Sequence, residues 1–410
     1  MSFILRILII AILALGVQFY FVRRTISSIK EIFPHVNRSR VNKYKWVFLI
    51  FVNFYLVWGL FYLIYVQVTG KSALFPPPYF WFDIFVQFPF WVYVVLVFQS
   101  TLLFLVIDLI RLILIPFVKR YKENLKKVFA SIRIILVLLF ALYVPVRTYY
   151  DYSNVSVRIV EYNKENLPES LNGFKIVLIA DVQADRYTNK SRLDKYIDKV
   201  NKTSPDLVLI AGDVITSTPD YIDLAAESLG KIKSKYGVYS CVGDHDNWAY
   251  RTDNERSRRE ITDALLLKNV KMIDNGKVII DVGNAKVGIT FITNTYVQRI
   301  DKNTIVTLSN HVNNEAIRIF LTHQPRQFLI DKAYKSGYDL FLAGHTHGGQ
   351  LTFIFPFINL SPTLIETRYV KGDFWFGDML AIVNRGLGMS LAPIRYNSTP
   401  EVTLIILSSK

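Results

Sequence analysis

Four of the six histidines in this 410-residue chain stand in short segments where apolar runs stop. These segments are Gly243-Asp244-His245-Asp246, the region ending at His323, and Gly344-His345-Thr346-His347. Two more polar stops, Asp181 with Gln183 two residues on, and Gly212-Asp213, close other apolar runs. Hard divalent ions want carboxylate oxygens, and the borderline ions Mn²⁺, Fe²⁺ and Zn²⁺ also accept imidazole. A carboxylate between two ions can bridge them at roughly 3.5–4 Å, where they acidify a shared water and clamp a phosphoryl group for in-line attack. A mixture of Asp, His and amide ligands without cysteine suits that chemistry better than a structural zinc site. The single cysteine, Cys241, excludes a disulfide within the chain and a thiolate cluster. It stands in the apolar run GVYSCV and reads as a buried, inert thiol.

The elements that must gather these residues begin near Phe174. FKIVLIA (174–180) is a compact β-branched run ending at Asp181, and DLVLIAGD (206–213) repeats the event. GVYSCV leads to Asp244, a run at 316–322 ends at His323, and DLFLAG (339–344) ends at His345. Further strands are expected at 277–281, at 285–292 and in the terminal EVTLIILS. Helices are expected between strands, with Leu193, Tyr196, Ile197 and Val200 at helical spacing and further helical stretches near 221–233 and 255–268. Strands that are continuously apolar, alternating with helices, predict an α/β core with covered sheets. A sheet of that kind gathers its strand ends into one crevice. A lone Asp after a strand is an ordinary helix cap, but capping does not call for histidines.

The ordered set resembles the calcineurin-like metallophosphoesterase superfamily, whose motifs are Asp-x-His, Gly-Asp, Gly-Asn-His-Asp/Glu, a later His, and Gly-His-x-His. Here they stand as Asp181-Val182-Gln183, Gly212-Asp213, Gly243-Asp244-His245-Asp246, His323 and Gly344-His345-Thr346-His347. The continuation Gly348-Gly349-Gln350, and the later Gly386-Leu387-Gly388 with Pro393 and Arg395, resemble the membrane-anchored bacterial branch. The resemblance implies an αββα sandwich-like domain over 173–410 and two divalent ions, Mn²⁺ first, with Fe²⁺, Zn²⁺ or Mg²⁺ as alternatives. It implies one ion on Asp181, Gln183, Asp213 and His347, and another on Asp213, Asp244, His323 and His345. His245 would approach the phosphoryl oxygen or leaving group, with Asp246 orienting its ring. Two positions depart from the pattern: Gln183 stands where the family has His, and Asp244 where it has Asn. The first change should weaken one site, and the second should strengthen the other or favour harder ions.

The N-terminal 147 residues read as an all-α transmembrane domain. Apolar runs cover Phe3–Val22, about Trp46–Val68, about Ile84–Ile107 and about Ile134–Val146, the last reaching membrane length only if the Lys127–Arg133 turn snorkels. Asp108 and Arg111, three apart on a helical face, are expected to pair. Residues 1–150 hold 17 Lys/Arg against four acidic residues, and the other 260 hold 31 against 29. Loops 23–45 and 112–133 are strongly basic, whereas 69–83 carries only Lys71 and Asp83 beside an aromatic Phe75-Pro76-Pro77-Pro78-Tyr79 run. The positive-inside rule then places the basic loops in the cytoplasm. A multi-pass protein of the cytoplasmic (inner) membrane is expected, with the N-terminus and C-terminal domain outside the cytoplasm. Residues 148–172, rich in tyrosine, read as an interfacial neck.

The expected activity is hydrolysis of a phosphoester or pyrophosphate at the membrane surface. The bilayer would be one partner and a phospholipid-like or lipid-linked phosphate the other, helped by the apolar stretch Leu351–Leu360. The near-neutral catalytic half argues against long nucleic acids. A soluble nucleotide phosphodiesterase is the alternative enzyme, and a degenerate sensor keeping one ion is the non-enzymatic one.

Overall fold

The computed structural model describes residues 3–69, 77–114, 116–117, 122–250, 252–309, 314–390 and 392–410. Lys71, Phe75, Pro76, Lys119, Arg120 and His311 lie outside the described residues. The chain divides into two compact units, 1–149 with 353–360, and 150–352 with 361–410.

In the first unit, α1 (Phe3–Ile32) and α2 (Arg38–Thr69) are followed by α3 (Phe80–Phe82), which runs through a π-helical turn into α4 (Phe88–Leu114). Helix α5 (Lys122–Ser153) comes next. Among the described residues, four stretches are long and apolar enough to cross a membrane: Leu8–Ile32, Arg38–Val66, Phe80–Leu114 and Glu123–Ser153. The fourth is far longer than the expected 134–146 because Arg133 does not end it. That side chain is buried and pairs with Asp108 of α4. Asp108 also takes Arg24 at 2.5 Å and the Tyr20 hydroxyl at 2.7 Å, both from α1, so it joins three helices rather than pairing with Arg111. A second polar link, Gln18 to Asn53 and to Tyr93, ties α1, α2 and α4 through bonds of 3.0–3.4 Å.

The expected domain of 173–410 with a preceding neck at 148–172 needs two corrections. Residues 156–164 are a strand, not a neck, and 353–360 belong with the helices. The enzyme unit is an αββα sandwich of two six-stranded sheets. One has the order β1 (Ser156–Lys164), β14 (Glu401–Ser409), β2 (Lys175–Ile179), β3 (Leu207–Ile210), β4 (Val238–Cys241), β5 (Val270–Ile273). The other runs β12 (Gly372–Phe376), β13 (Met379–Val383), β9 (Leu340–Ala343), β8 (Ile317–Thr322), β7 (Ala285–Ile292), β6 (Gly276–Val282). Strands β2, β3, β4 and β5 are parallel, as are β7, β8, β9 and β13.

Side-chain alternation explains why these strands are apolar throughout. Ile176, Leu178, Leu207, Leu209, Ile319 and Leu321 fill the space between the sheets. The intervening Val177, Ile179, Val208 and Ile210 pack outward against α6 (Lys190–Lys202), α7 (Ile222–Leu229) and α8 (Asn254–Leu266). Phe320 and Phe341 do the same against α9 (Lys302–Ser309) and α10 (Gln327–Lys335). With both faces covered, period-two alternation carries no polar positions.

The apolar stretch after His347 is a short antiparallel hairpin, β10 (Phe353–Phe355) and β11 (Ile358–Leu360), with a fully exposed Phe357 at its tip. It is held by α4. Gln99, completely buried in the middle of that helix, donates to the Ile354 carbonyl at 2.8 Å and accepts its N–H at 2.8 Å. Phe98 packs on Phe353. Away from water, both backbone groups of an edge strand need partners, and one glutamine amide supplies both. Replacing Gln99 by Leu leaves the two groups unpaired, at a cost of about 1–3 kcal/mol. Amide hydrogen exchange across 351–360 is then expected to quicken by roughly 5- to 150-fold, while β3 is unchanged; unaltered exchange in the hairpin would refute the clamp.

Candidate metal centre

All seven expected ligands lie at the C-terminal ends of parallel strands. Asp181 and Gln183 follow β2, Asp213 follows β3, Asp244 follows β4, His323 follows β8, and His345 and His347 follow β9. Five of them, Asp181, Gln183, Asp213, His345 and His347, adopt left-handed backbone with φ between 45° and 72°. Non-glycine residues seldom accept that conformation, and it recurs where a site demands a particular side-chain direction. Gly243 has a packing reason: a Cβ there would collide with Oδ1 and the backbone N of Asp213.

Two chains of near neighbours run from one oxygen. Asp213 Oδ2 lies 3.3 Å from His323 Nε2, which lies 3.3 Å from Asp244 Oδ2, which lies 2.9 Å from His345 Nδ1. The same Asp213 Oδ2 lies 3.2 Å from the Gln183 amide, which lies 3.3 Å from His347 Nε2, which lies 3.6 Å from Asp181 Oδ1. For bonds of about 2.0–2.2 Å, the vertices of a tetrahedron or octahedron are roughly 2.8–3.6 Å apart. The neighbouring distances fall in or near that range, and the carboxylate and imidazole atoms that lie within 4.8 Å of one another are those of Asp244, His323 and His345 and those of Asp181, Asp213 and His323. Gln183 is drawn with Nε2 toward Asp213 and His347, leaving its buried Oε1 without a partner. Turning the amide presents that orphaned oxygen as a ligand atom, which is what an ion between these groups requires. The donors present therefore fit divalent metal ions.

Hydrogen bonds fix how each ligand faces. His323 Nδ1 donates to the Ala211 carbonyl at 2.7 Å, freeing Nε2 for the cluster. Gln324 Nε2 holds both oxygens of Asp244 at 2.8–2.9 Å, and the Tyr296 N–H reaches Oδ1 at 2.6 Å. Asp213 Oδ1 takes the His245 N–H at 2.8 Å, and Asp181 takes that of His345. Arg395, wholly buried, donates to the carbonyls of Gly388, Arg385, His347 and Ser398 and faces His347 Nδ1 at 3.3 Å. It fastens the loop after β13 under the His347 turn.

The expected catalytic pair separates. His245 Nδ1 meets the Thr216 carbonyl at 2.5 Å, so Thr216, not Asp246, orients the ring, and Nε2 faces the Ser390 hydroxyl at 3.3 Å. Asp246 instead accepts the backbone N–H groups of Gly243, Asp213 and Val214 at 2.7–3.0 Å and pins the two carboxylate-bearing loops together. Outside the expected set, Gln324, Tyr296, Arg326 and Glu366 surround the mouth of the cluster. Only Gln324 and Arg326 carried a hint, by following His323.

Charge follows from this packing. Burial, with the nearby charge of Asp213, pushes Asp246 up to about 6, and burial pushes Asp181 up to about 6 as well. Burial also works to raise Asp213 and Asp244, but the neighbouring histidines outweigh it and hold both low. Burial opposes protonation of His345, yet its bonds to Asp244 and Glu366 raise it to about 9. His347 is kept neutral by burial and by Arg395. For His345 the sign is that of a raised base. Its protonation stabilises the ion-free domain fully below about pH 6.5, and that contribution is lost as pH rises through 9. Ligation requires the proton to leave. Adding Mn²⁺ to chelator-stripped protein near neutral pH is thus expected to release protons, and apparent affinity should rise with pH up to about 9. Indicator-dye titration checks this, and ion binding without proton release would contradict it.

Comparison with known proteins places this unit in a family. Residues 174–349 match the calcineurin-like phosphoesterase family. An uncharacterised metallophosphoesterase of Campylobacter jejuni is 28% identical over 307 residues, 74% of this chain and 76% of that protein. The uncharacterised metallophosphoesterase YkuE of Bacillus subtilis is 28% identical over 247 residues, 59% of this chain and 82% of that protein. A transmembrane protein with metallophosphoesterase domain from Danio rerio is 29% identical over 252 residues, 60% of this chain and 56% of that protein. The αββα unit, with its candidate ligands in family order at the strand ends, belongs to the calcineurin-like metallophosphoesterases, and the chain is a metal-dependent phosphohydrolase with four membrane-length helices among the described residues.

Proposed function

We propose that this protein hydrolyses a phosphoester or pyrophosphate of a phospholipid-like or lipid-linked substrate at the outer face of the cytoplasmic membrane. The observation that carries the chemistry is the position of Asp213 Oδ2, 3.2 Å from the Gln183 amide and 3.3 Å from His323 Nε2. In this reading Asp181, Gln183, Asp213 and His347 hold one divalent ion, and Asp213, Asp244, His323 and His345 hold the other. Mn²⁺ suits this mixture of carboxylate, amide and imidazole. Such ions supply an acidified water and charge stabilisation for an in-line displacement. The chain's own residues do the rest. Thr216 keeps a hydrogen on His245 Nδ1, so the neutral ring has its lone pair on Nε2 and the protonated ring a donor there. His245 Nε2 can then give a proton to a departing oxygen, with the Ser390 hydroxyl beside it. Asp246 keeps the Asp213 and Asp244 loops from spreading.

Support for a lipid substrate is the company the enzyme keeps. Four membrane-length helices precede it, and the hairpin four residues after Thr346-His347-Gly348-Gly349 packs on α4 with Phe357 and Ile358 exposed. An even number of spans returns the chain to its starting side, and the basic loops argue that this side is outside. Each methylene buried against such a surface favours a lipid over its soluble headgroup by about 0.8 kcal/mol.

The test uses the intact protein with a lipid extract of the source cell, water-soluble headgroup analogues and an Asp213→Asn control. Loss of one lipid-linked phosphate species, abolished by chelation and restored best by Mn²⁺, is expected; Asp213→Asn should fall by roughly 10³-fold, the several kcal/mol that ions supply. Full activity in metal-free protein would sink the mechanism. Equal turnover of soluble analogues would instead favour a nucleotide-type phosphodiesterase. One bound ion with no turnover would favour a sensor, a reading that Gln183 alone supports. Because Cys241 is buried, cysteines introduced on the enzyme surface can be labelled without background. Labelling from the cytoplasmic side would overturn the orientation.

A further inference from the structure

Glu366 belongs to no motif, yet three loops of the metal centre converge on it. Its Oε1 accepts the Tyr296 hydroxyl at 2.5 Å and the Arg326 guanidinium, and faces His345 Nε2 at 3.2 Å. The other ring nitrogen of His345, Nδ1, points into the ligand cluster, 2.9 Å from Asp244 Oδ2 and 3.3 Å from His323 Nε2. An imidazole that binds an ion through Nδ1 carries its hydrogen on Nε2, and an acceptor there fixes both tautomer and ring plane. The Tyr296 oxygen is near Nε2 as well, at 3.4 Å, but its own hydrogen is committed to Glu366.

The same carboxylate reaches Asp244 by two routes. Tyr296 donates its backbone N–H to Asp244 Oδ1, and Arg326 Nε donates to Gln324 Oε1 while Gln324 Nε2 holds both Asp244 oxygens. Asp244 and His345 are thus braced from one point by a group that is not itself within reach of the cluster's interior.

We propose that Glu366 is a positioning residue that holds His345 with Nδ1 toward the ion bound by Asp213, Asp244, His323 and His345. The proposal rests on the metal-dependent reading above. It makes one ion, not both, depend on a residue that follows the hairpin seated on α4 by six positions. Tyr296 and Arg326 in turn keep the Glu366 carboxylate in place.

The experiment is a competitive chelator titration of Mn²⁺ on full-length protein, comparing wild type with Glu366→Ala, Glu366→Gln and Tyr296→Phe. Glu366→Ala is expected to weaken one ion by about 10–100-fold and leave the other unchanged. Glu366→Gln keeps an acceptor oxygen and should fall between. Tyr296→Phe removes one of the two bonds that hold the carboxylate and should weaken the same ion, but less than Glu366→Ala does. If both ions bind Glu366→Ala and Glu366→Gln as tightly as wild type, the proposal is overturned. Equal weakening of both ions would likewise overturn it, since that marks general loosening. Unchanged Mn²⁺ affinity with tighter binding of inorganic phosphate would overturn it too, showing Glu366 to occupy an anion's place. Failure of the wild type to bind Mn²⁺ at all would defeat the proposed function itself, a distinct result.

Discussion

Three carboxylates, those of Asp181, Asp213 and Asp244, are buried side by side at one end of a closed sandwich, each no more than 2% exposed. Like charges removed from water cost several kcal/mol apiece unless positive charge is placed among them. Much of the surrounding structure answers that demand. His323 and His345 are drawn toward protonation, backbone N–H groups turn in toward Asp181 and Asp213, and the Gln324 amide covers Asp244. Divalent ions would answer it more fully, which is why an arrangement that is awkward for a protein alone is useful in a phosphohydrolase. The left-handed backbone at five ligand positions is the strain that this placement requires.

The strand ends carrying the ligands were legible because both sheet faces are covered. Leu178 and Val177 point opposite ways, yet both are buried, so each strand reads as an unbroken apolar word stopped by a polar residue. Strand β1 was illegible for the opposite reason. Its residues alternate between exposed and buried, and it pairs with β14, so Ser156 lies opposite Glu401 at the far end of the chain. Nothing local distinguishes such an edge strand from a polar linker. Asp108 was misassigned because spacing on one helix shows only local neighbours, whereas Arg24 and Arg133 approach from other helices.

Residue type pointed to the side chains that gather here, and not to what holds each of them. Asp181, Gln183, Asp213, Asp244, His323, His345 and His347 do come together. Asp246 also does, but as a backbone clamp, because its carboxylate is enclosed by N–H groups before it can reach an imidazole. The group that sets the His245 tautomer is a main-chain carbonyl, Thr216, and carbonyls carry no signature in sequence. Glu366 and Tyr296 come from loops with unremarkable composition, so only the closed structure associates them with His345.

The hairpin changes what counts as a module in this protein. The boundary between units is crossed by the chain three times, near 149, 352 and 360, not once. The helices and the enzyme are therefore interleaved, and neither is a bead that can be cut from the string. A fragment beginning after α5 would retain Phe353, Ile354, Phe357 and Ile358 without Gln99, exposing an apolar edge strand with its backbone groups bare. Exchange of the anchor between relatives faces the same barrier: a new set of helices would have to bring its own seat for the loop that follows the last histidine of the metal centre.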